Sequence, residues 1–194
     1  GVLLFDTLTY KENSILEVIE GEQTKIGYKF LNVSGDDFES DLIVRHIIYN
    51  QNTNLTTTFY DTLGTLKANE TLDFAFDFSS LDFAGNNILT TYINPRLQAE
   101  QLYENNVAVA YINVKPDDIN PVLDVVFDGI HIMDGDIVSS QPMVCVSLFD
   151  ESSFLFVEDI SNFDLALQSL PDLQSYPIDL TASDVIFTPG DADN

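Results

Sequence analysis

Alternation of apolar and polar residues is the feature that most constrains the fold of this chain. Residues 71–79 place Leu72, Phe74, Phe76 and Phe78 at every second position, with small or acidic residues between them. A period of two is typical of a β-strand with one buried face, because successive side chains of a strand point to opposite sides. This segment therefore predicts a half-buried strand with an aromatic inner face.

Further segments of this kind fill the first part of the chain. They are rich in β-branched and aromatic residues and are separated by turn residues, which indicates strands. The predicted strands cover residues 2–5, a segment ending near residue 17, 24–33, 41–49, 56–60, 85–93 and 107–114. In the segment 24–33, the alternation places Ile26, Tyr28 and Phe30 on one face. Strands of this length and spacing predict an antiparallel, immunoglobulin-like β-sandwich over residues 1–115.

A loop is expected before the last of these strands. Residues 96–104 have the length of one or two helical turns, and Asn105 and Asn106 would end any such helix. We therefore predict a loop with at most a short helix there.

A short polar segment separates this module from the rest of the chain. Pro116 and Pro121 enclose four residues that are too polar for a central strand, so residues 116–121 are predicted to be a linker. Residues 122–194 then form a second module. Its predicted strands are Val122–Phe127, Ile130–Met133, Met143–Phe149, Phe154–Val157, Phe163–Gln168 and Asp184–Phe187.

Two Asp-Gly dipeptides shape the start of this second module. Asp128-Gly129 supplies the positive φ angles of a tight hairpin between the first two predicted strands, and Asp134-Gly135 turns the chain again. The module is shorter than the about 100 residues that a complete sandwich needs. The fold class is therefore all-β, with two tandem antiparallel β-sandwich modules of which the second is incomplete at its C-terminal end.

The charge excludes several classes of function. Thirty-two acidic and seven basic residues give a formal net charge of −25. Such a surface repels nucleic acids and anionic membranes, and no run of about 18 apolar residues could cross a bilayer. The partners expected are proteins, and divalent cations would also be attracted.

Catalytic pairs are hard to build from these residues. A thiol nucleophile would need Cys145 beside His46 or His131, but Cys145 lies in an apolar segment that favours a packing role. Both histidines are expected to be ordinary strand residues, and a zinc site would need more ligands. A glycosidase would need paired carboxylates in an aromatic cleft, and most of the acidic residues are expected to face water. No catalytic residue is predicted.

Calcium is the only ligand that the residues suggest. Acidic side chains cluster near turns of the second module, where hard oxygen ligands could converge. The candidate ligands are Asp128, Asp134, Asp136, Asp150 and Glu151, with Asp191 and Asp193 as a smaller second cluster. Hairpin turns explain Asp128 and Asp134 without a metal, so both interpretations stay open.

Two segments resemble known modules. Gly21-Glu22, the stretch from Phe30 to Gly35 and Glu104-Asn105-Asn106 resemble a CARDB-type domain, an immunoglobulin-like sandwich of bacterial surface proteins. The stretch from Asn120 to Ser139, with Asp128-Gly129 and Asp134-Gly135, resembles the region after the catalytic domain in gingipain-type cysteine peptidases of Bacteroidota. That group includes proteins described as type IX secretion system sortases.

The resemblance implies a role without chemistry. The peptidase domain of that family lies upstream of such modules, and its His–Cys motif has no match here, so no catalytic residue is carried over. We expect a piece of a larger secreted protein that acts as a spacer or docking scaffold at the cell surface, reached through the periplasm. Its partners would be type IX secretion or cell-surface proteins. The alternative is a stand-alone adhesion module, with or without a dependence on calcium.

Overall fold

The structure is a computed structural model that describes residues 1–150, 152, 154, 157–169 and 173–190. The described residues divide into two compact units, Gly1–Asp117 and Asp118–Asn194. Secondary structure is all-β, as predicted: the strands are β1 (Val2–Phe5), β2 (Ile15–Ile19), β3 (Gln23–Leu31), β4 (Leu42–Asn50), β5 (Thr56–Leu63), β6 (Thr71–Ser79), β7 (Gly85–Ile93), β8 (Val107–Lys115), β9 (Val122–Phe127), β10 (Val144–Phe149), β11 (Ala166–Gln168) and β12 (Ser175–Pro177).

Unit 1 is a sandwich of two sheets. One sheet has the strand order β1-β3-β6, and the other has the order β2-β8-β7-β4-β5. The inner faces pack together: the Tyr28 hydroxyl on β3 lies 2.8 Å from the Thr91 hydroxyl on β7, and the His46 ring on β4 stacks on Phe76 of β6. The predicted sandwich is therefore confirmed in this unit.

The core follows the alternation seen in the sequence. Ile26, Tyr28 and Phe30 are almost completely buried; on the neighbouring strand Phe76 is buried opposite Ile26, and Phe78 opposite Thr24. Each such side chain contributes about 1.5–3 kcal/mol when it leaves water. Burial of these alternating residues thus contributes to the stability of the sandwich.

The antiparallel prediction needs one correction, because β2 pairs with β8 in parallel. The chain crosses from one sheet to the other between β1 and β2, so β2 enters the second sheet in the direction of β8. Tyr10 fixes this crossing: its buried hydroxyl donates to the Ser14 carbonyl over 2.6 Å and accepts from the Tyr111 amide over 3.0 Å. Tyr10, which is far from β8 in the sequence, therefore determines where the edge strand β2 begins beside β8.

The connection from β7 to β8 contains no α-helix. A single 3-10 turn, Glu104–Asn106, is present there, which agrees with the predicted loop. No described helix is long and apolar enough to cross a membrane.

Unit 2 holds two small ladders. β9 pairs with β10, and β11 pairs with β12, both antiparallel. None of the described residues after Asp117 is fully buried, whereas unit 1 contains every buried residue that the structure describes. Because each ladder has two strands, each strand has one edge without a described partner strand.

The hairpin at Asp128-Gly129 forms, but its partner strand was predicted wrongly. Both residues have positive φ, 50° and 80°, and Phe127 and Ile130 exchange two backbone hydrogen bonds around them. The segment 130–133 then leaves the ladder, and β10 takes its place beside β9. The local turn signal was correct, whereas strand pairing depends on distant residues that the alternation does not identify.

Three other strand predictions in unit 2 also need correction. The predicted strand at 163–168 is shortened to β11, and its partner β12 was not predicted. No strand is present at 184–187. Of the predicted strand at 154–157, Phe154 and Val157 are described and lie outside strands, while residues 155 and 156 are not described. These segments bury little apolar surface, so packing does not select the pattern that their sequences suggest.

Candidate interaction face

The outer face of the three-stranded sheet has the character of an ordinary solvent-facing surface. Lys25 lies 3.8 Å from Asp77, and Lys29 lies 3.6 Å from Asp73, in cross-strand pairs between β3 and β6. All four side chains are well exposed. Charged pairs of this kind keep a sheet face in water and protect an edge strand from pairing with other chains.

The outer face of the five-stranded sheet is different, because it is apolar and aromatic. One cross-strand row runs through Ile15, Tyr111, Ile88 and Tyr49. The residues that form this surface alternate with the buried inner residues of the same strands. We call the surface the tyrosine face; its members are Ile15, Ile47, Tyr49, Tyr60, Ile88, Tyr92, Val107, Val109 and Tyr111.

These side chains remain accessible although they are apolar. Tyr60 is 65% exposed, Ile15 62% and Tyr111 45%. Threonine residues occupy the remaining outward positions of β5. A contiguous apolar surface of this kind marks an interaction site more often than isolated exposed residues do.

Acidic residues are nearly absent from this surface, although the chain has 32 of them. Glu17 at the edge strand β2 is the one acidic residue at the outward positions of the five strands, and it pairs with Lys115 at 3.5 Å. The remaining charge is that of Arg45, which stands among the tyrosines. The tyrosine face is thus a locally cationic surface on a strongly anionic protein.

Arg45 belongs to a pocket of about 260 Å³ at one end of this face. The guanidinium carbon of Arg45 lies 4.8 Å from the centroid of the Tyr92 ring. The guanidinium carbon of Arg96 lies 5.4 Å from the centroid of the Tyr103 ring. β4 and β7 supply Arg45 and Tyr92, and the connection from β7 to β8 supplies Arg96 and Tyr103. Neither arginine could be identified as a site residue from the sequence, because nothing in the local sequence indicates that both line one pocket.

A larger cleft of about 640 Å³ lies where the edge strands β5 and β6 approach each other. Phe59, Phe78 and Phe83 line it together with amide and hydroxyl side chains. One of its two carboxylates, Asp77, already pairs with Lys25. Its lining includes no histidine or cysteine that could serve as a nucleophile or base beside them.

His46 is not an ordinary strand residue, as the sequence suggested, but the centre of a buried polar cluster. Its ring is inaccessible to water; Nδ1 lies 2.9 Å from the Thr91 hydroxyl, and Nε2 lies 3.2 Å from an Asp61 carboxylate oxygen. Burial lowers the pKa of His46, although nearby Asp61 opposes this shift. Burial also raises the pKa of Tyr28, which shares the Thr91 hydroxyl.

This cluster combines an acid, an imidazole and a hydroxyl, as hydrolytic triads do, but it has no access for a substrate. Thr91 and His46 are both 0% exposed, and the Thr91 hydroxyl is already shared with Tyr28. A nucleophile must reach its substrate. The arrangement therefore stabilises the contact between the two sheets.

The remaining candidates for nucleophilic chemistry lie apart from this cluster. Cys145 is exposed on β10, which corrects the predicted packing role; its sulfur lies 4.0 Å from the Ser147 hydroxyl. β10 has no second sheet over that face among the described residues, so the apolar pattern does not lead to burial. His131 lies outside the strands and contacts Asp124 at 2.7 Å.

The predicted calcium ligands hold turns in the structure. Asp128 accepts the Met143 amide over 2.9 Å, and Asp136 accepts the Met133 amide over 2.8 Å. Asp150 accepts the amide of Ser152, and Asp134 is exposed. Glu151, Asp191 and Asp193 lie outside the described residues. Within the described part of the chain, no three acidic, histidine or cysteine side chains form a group suited to a metal. The calcium site stays a prediction.

Comparisons with known proteins concern the fold. No family model matches the chain, and no curated protein matches it. The chain is similar to the crystal structure of a CARDB domain from Pyrococcus furiosus, determined in complex with di-metal ions: identity is 18%, the TM-score is 0.40, and the match covers 52% of this chain and 86% of that one.

Two further solved structures are similar over part of the chain. An immunoglobulin-like protein from Pseudomonas aeruginosa matches with 14% identity and a TM-score of 0.32, covering 59% of this chain and 93% of that one. A β-glucosidase from Listeria innocua matches with 13% identity and a TM-score of 0.41, covering 58% of this chain but 16% of the enzyme. The chain is an all-β protein with CARDB and immunoglobulin-like structural neighbours.

Proposed function

We propose that this chain is a non-catalytic interaction module that docks a protein partner through the tyrosine face. The observation that carries this proposal is the near absence of acidic residues from that face in a protein of net charge −25. A sheet surface that only faces water does not need to exclude acidic residues, and the outer face of the three-stranded sheet indeed carries charged side chains.

The composition of the tyrosine face supports a protein partner. The cores of protein interfaces are enriched in tyrosine and arginine and depleted in aspartate, glutamate and lysine. Tyr49, Tyr60, Tyr92 and Tyr111 with Arg45 fit this pattern. Tyrosine and arginine are also the residues that most often dominate binding energy in such interfaces.

Charge complementarity defines the partner further. An apolar patch on an acidic protein fits a partner with an apolar centre and a basic rim. A second copy of this chain would carry the same large negative charge and be repelled. The partner is therefore a different protein with a basic rim, and its association rate should fall as salt increases.

The biological setting follows from the resemblance of the sequence to gingipain-type proteins. We place the chain in a large secreted Bacteroidota protein, where it spaces or docks a catalytic domain at the cell surface or at the type IX secretion machinery. The segment from Asn120 to Ser139 supports this setting. A stand-alone adhesion module is the alternative.

Unit 2 adds a second mode of interaction to this proposal. β9 and β10 each leave one edge without a described partner strand, and exposed edges accept strands from other chains. Val122 and Phe149, which oppose each other in the ladder, are 65% and 63% exposed. We infer that further strands, from this protein or a partner, complete the second module.

A photo-crosslinking experiment tests the docking proposal. A photoreactive phenylalanine analogue replaces Tyr111 on the tyrosine face or, as the control, Asp73 on the opposite sheet, in the parent protein within its native cells. We expect a discrete crosslinked protein from position 111, lost when Tyr49→Ser is added, and none from position 73. Equal crosslinking from both faces, or none from position 111, would contradict the proposal.

A further inference from the structure

Both arginines of the chain line the same pocket. Arg45 on β4 and Arg96 after β7 are 51 residues apart in sequence, yet they share the cavity of about 260 Å³. The other lining residues include Tyr92, Tyr103 and Asn106. The five remaining basic residues of the chain are lysines that do not line it. The structure thus concentrates its guanidinium groups at one point.

Neither arginine is neutralised by the protein. Among the described residues, the ion pairs involve lysines, histidines and the N-terminus, and none involves Arg45 or Arg96. The Nε atom of Arg45 is buried and has no hydrogen-bond partner. The buried Nε of Arg45 requires a reason, because buried polar groups are normally hydrogen-bonded, whereas Arg96 is exposed.

Each guanidinium group lies near a tyrosine ring. The cation–π contacts of Arg45 with Tyr92 and of Arg96 with Tyr103 favour these side-chain positions. Side chains that are already positioned lose less conformational entropy when a ligand binds. The two contacts therefore favour ligand binding in this pocket.

The backbone at Arg96 is held in an unfavourable conformation. Its φ of 61° lies in the left-handed region, which costs free energy for a residue with a side chain. Asn94 holds this turn: its side-chain oxygen accepts the Leu97 amide over 3.2 Å and the Gln98 amide over 2.7 Å. Residues in such conformations cluster at ligand sites.

A buried acceptor adds an independent feature to the same pocket. Asn106 is 2% exposed, and its side-chain oxygen has no hydrogen-bond partner. Its side-chain nitrogen is occupied by Glu100 at 2.6 Å, so the oxygen orientation is fixed. The pocket lining therefore combines two guanidinium groups with one buried amide oxygen that has no partner among the described residues.

We propose that this pocket binds a carboxylate group of a ligand. Guanidinium groups form paired, charge-assisted hydrogen bonds with carboxylates. A single negative charge suits the site better than phosphate, because the net charge of −25 repels a dianion more strongly.

The carboxylate site goes beyond the proposed docking function, although it shares Arg45 and Tyr92 with the surface used for docking. Tyr111 and Ile15, at the far side of the tyrosine face, do not line the pocket. A failed crosslink at position 111 would contradict the docking proposal but not the carboxylate site. A failed carboxylate titration would equally leave the docking proposal intact.

Nuclear magnetic resonance gives a direct test, because the chain has only two arginine Nε–H signals. Arg45→Lys and Arg96→Lys variants assign them. The probes are the capped peptide acetyl-Gly-Glu-Gly-amide, its neutral match acetyl-Gly-Gln-Gly-amide, and propionate. We expect both arginine signals to move saturably with the Glu peptide and to remain unchanged with the Gln peptide.

The propionate arm identifies the source of the carboxylate. Saturable shifts with propionate would show that a carboxylate alone is sufficient, whereas shifts with the Glu peptide alone would identify an acidic peptide as the ligand. No saturable movement with either carboxylate, or equal movement with the Gln peptide, would overturn the proposal.

Matched variants test the geometry of the site. Arg45→Lys retains the charge but loses the planar fork, so we expect the affinity for the Glu peptide to fall about tenfold or more. Lys115→Gln removes a positive charge outside the pocket and should leave the affinity unchanged. Glu104→Gln removes a negative charge from the pocket lining and should increase it. An equal loss for Arg45→Lys and Lys115→Gln would show a nonspecific charge effect and contradict the site.

Discussion

The Nε2 atom of His46 lies 3.2 Å from a carboxylate oxygen of Asp61, between the two sheets of the sandwich. The histidine is fully buried, whereas the Asp61 side chain is 47% exposed. The other groups around the imidazole are the Thr91 hydroxyl, the Tyr28 ring and the stacked Phe76 ring. Asp61 is thus the one acidic group facing an imidazole whose pKa is lowered by burial.

This arrangement predicts that acid destabilises the sandwich through His46. Because the folded-state pKa is lowered, stability is fully present above the unfolded-state pKa of about 6.5 and is lost as the pH falls below it toward the folded-state pKa. Urea unfolding between about pH 7 and about pH 5 measures this loss. His46→Asn should flatten the dependence, and the control His131→Gln should retain it. Equal slopes in wild type and His46→Asn would show that other groups are responsible.

Asn32 should be important for the stability of unit 1. It is fully buried; its amide donates to the carbonyls of Asp36 and Lys67, and its oxygen accepts from the Ser34 amide and hydroxyl. Asn32→Ala leaves these groups unpaired, and we expect a loss of about 2–3 kcal/mol in urea unfolding. The exposed Asn86→Ala is the matched control, with a change below about 1 kcal/mol. Similar losses at both positions would contradict this role.

Gly85 is expected to tolerate no side chain. Its φ is +96°, and a Cβ atom would lie 2.5 Å from the Asn52 side-chain oxygen, which itself accepts the Asn86 amide. Gly85→Ala should therefore cost about 1–3 kcal/mol. Gly64 has free space around it, and Gly64→Ala should change thermal stability little. A neutral Gly85→Ala would mean that the β4–β5 turn adjusts without strain.

The calcium hypothesis for unit 2 makes a simple prediction. A metal that binds only the native state raises the thermal midpoint by mass action, so EDTA should lower the midpoint and added calcium should restore it. Asp134→Asn with Asp136→Asn should remove the difference, while Asp73→Asn in unit 1 should preserve it. An unchanged midpoint with calcium and with EDTA would exclude a stabilising calcium site.

The inner faces of the sandwich could be read directly from the sequence. The alternation around Tyr28 and Phe76 depends on burial of one strand face, which is a local, periodic property. The turn at Asp128-Gly129 was equally local, because its positive φ angles favour those residue types. The partner of β9 was predicted wrongly, since pairing with β10 depends on residues far along the chain.

The candidate sites show the same division. Outward residues such as Tyr49, Tyr92 and Tyr111 look in sequence like ordinary strand positions, and only the register of three neighbouring strands brings them onto one surface. Arg45 and Arg96 meet because the β7–β8 connection folds beside β4. The sequence by itself determined that the chain is all-β and which residues form the core of unit 1, because period-two burial is encoded within each strand. Only the tertiary structure decided which strands pair, that His46 is buried, and where the tyrosines and arginines converge, since those outcomes depend on contacts between residues distant in the chain.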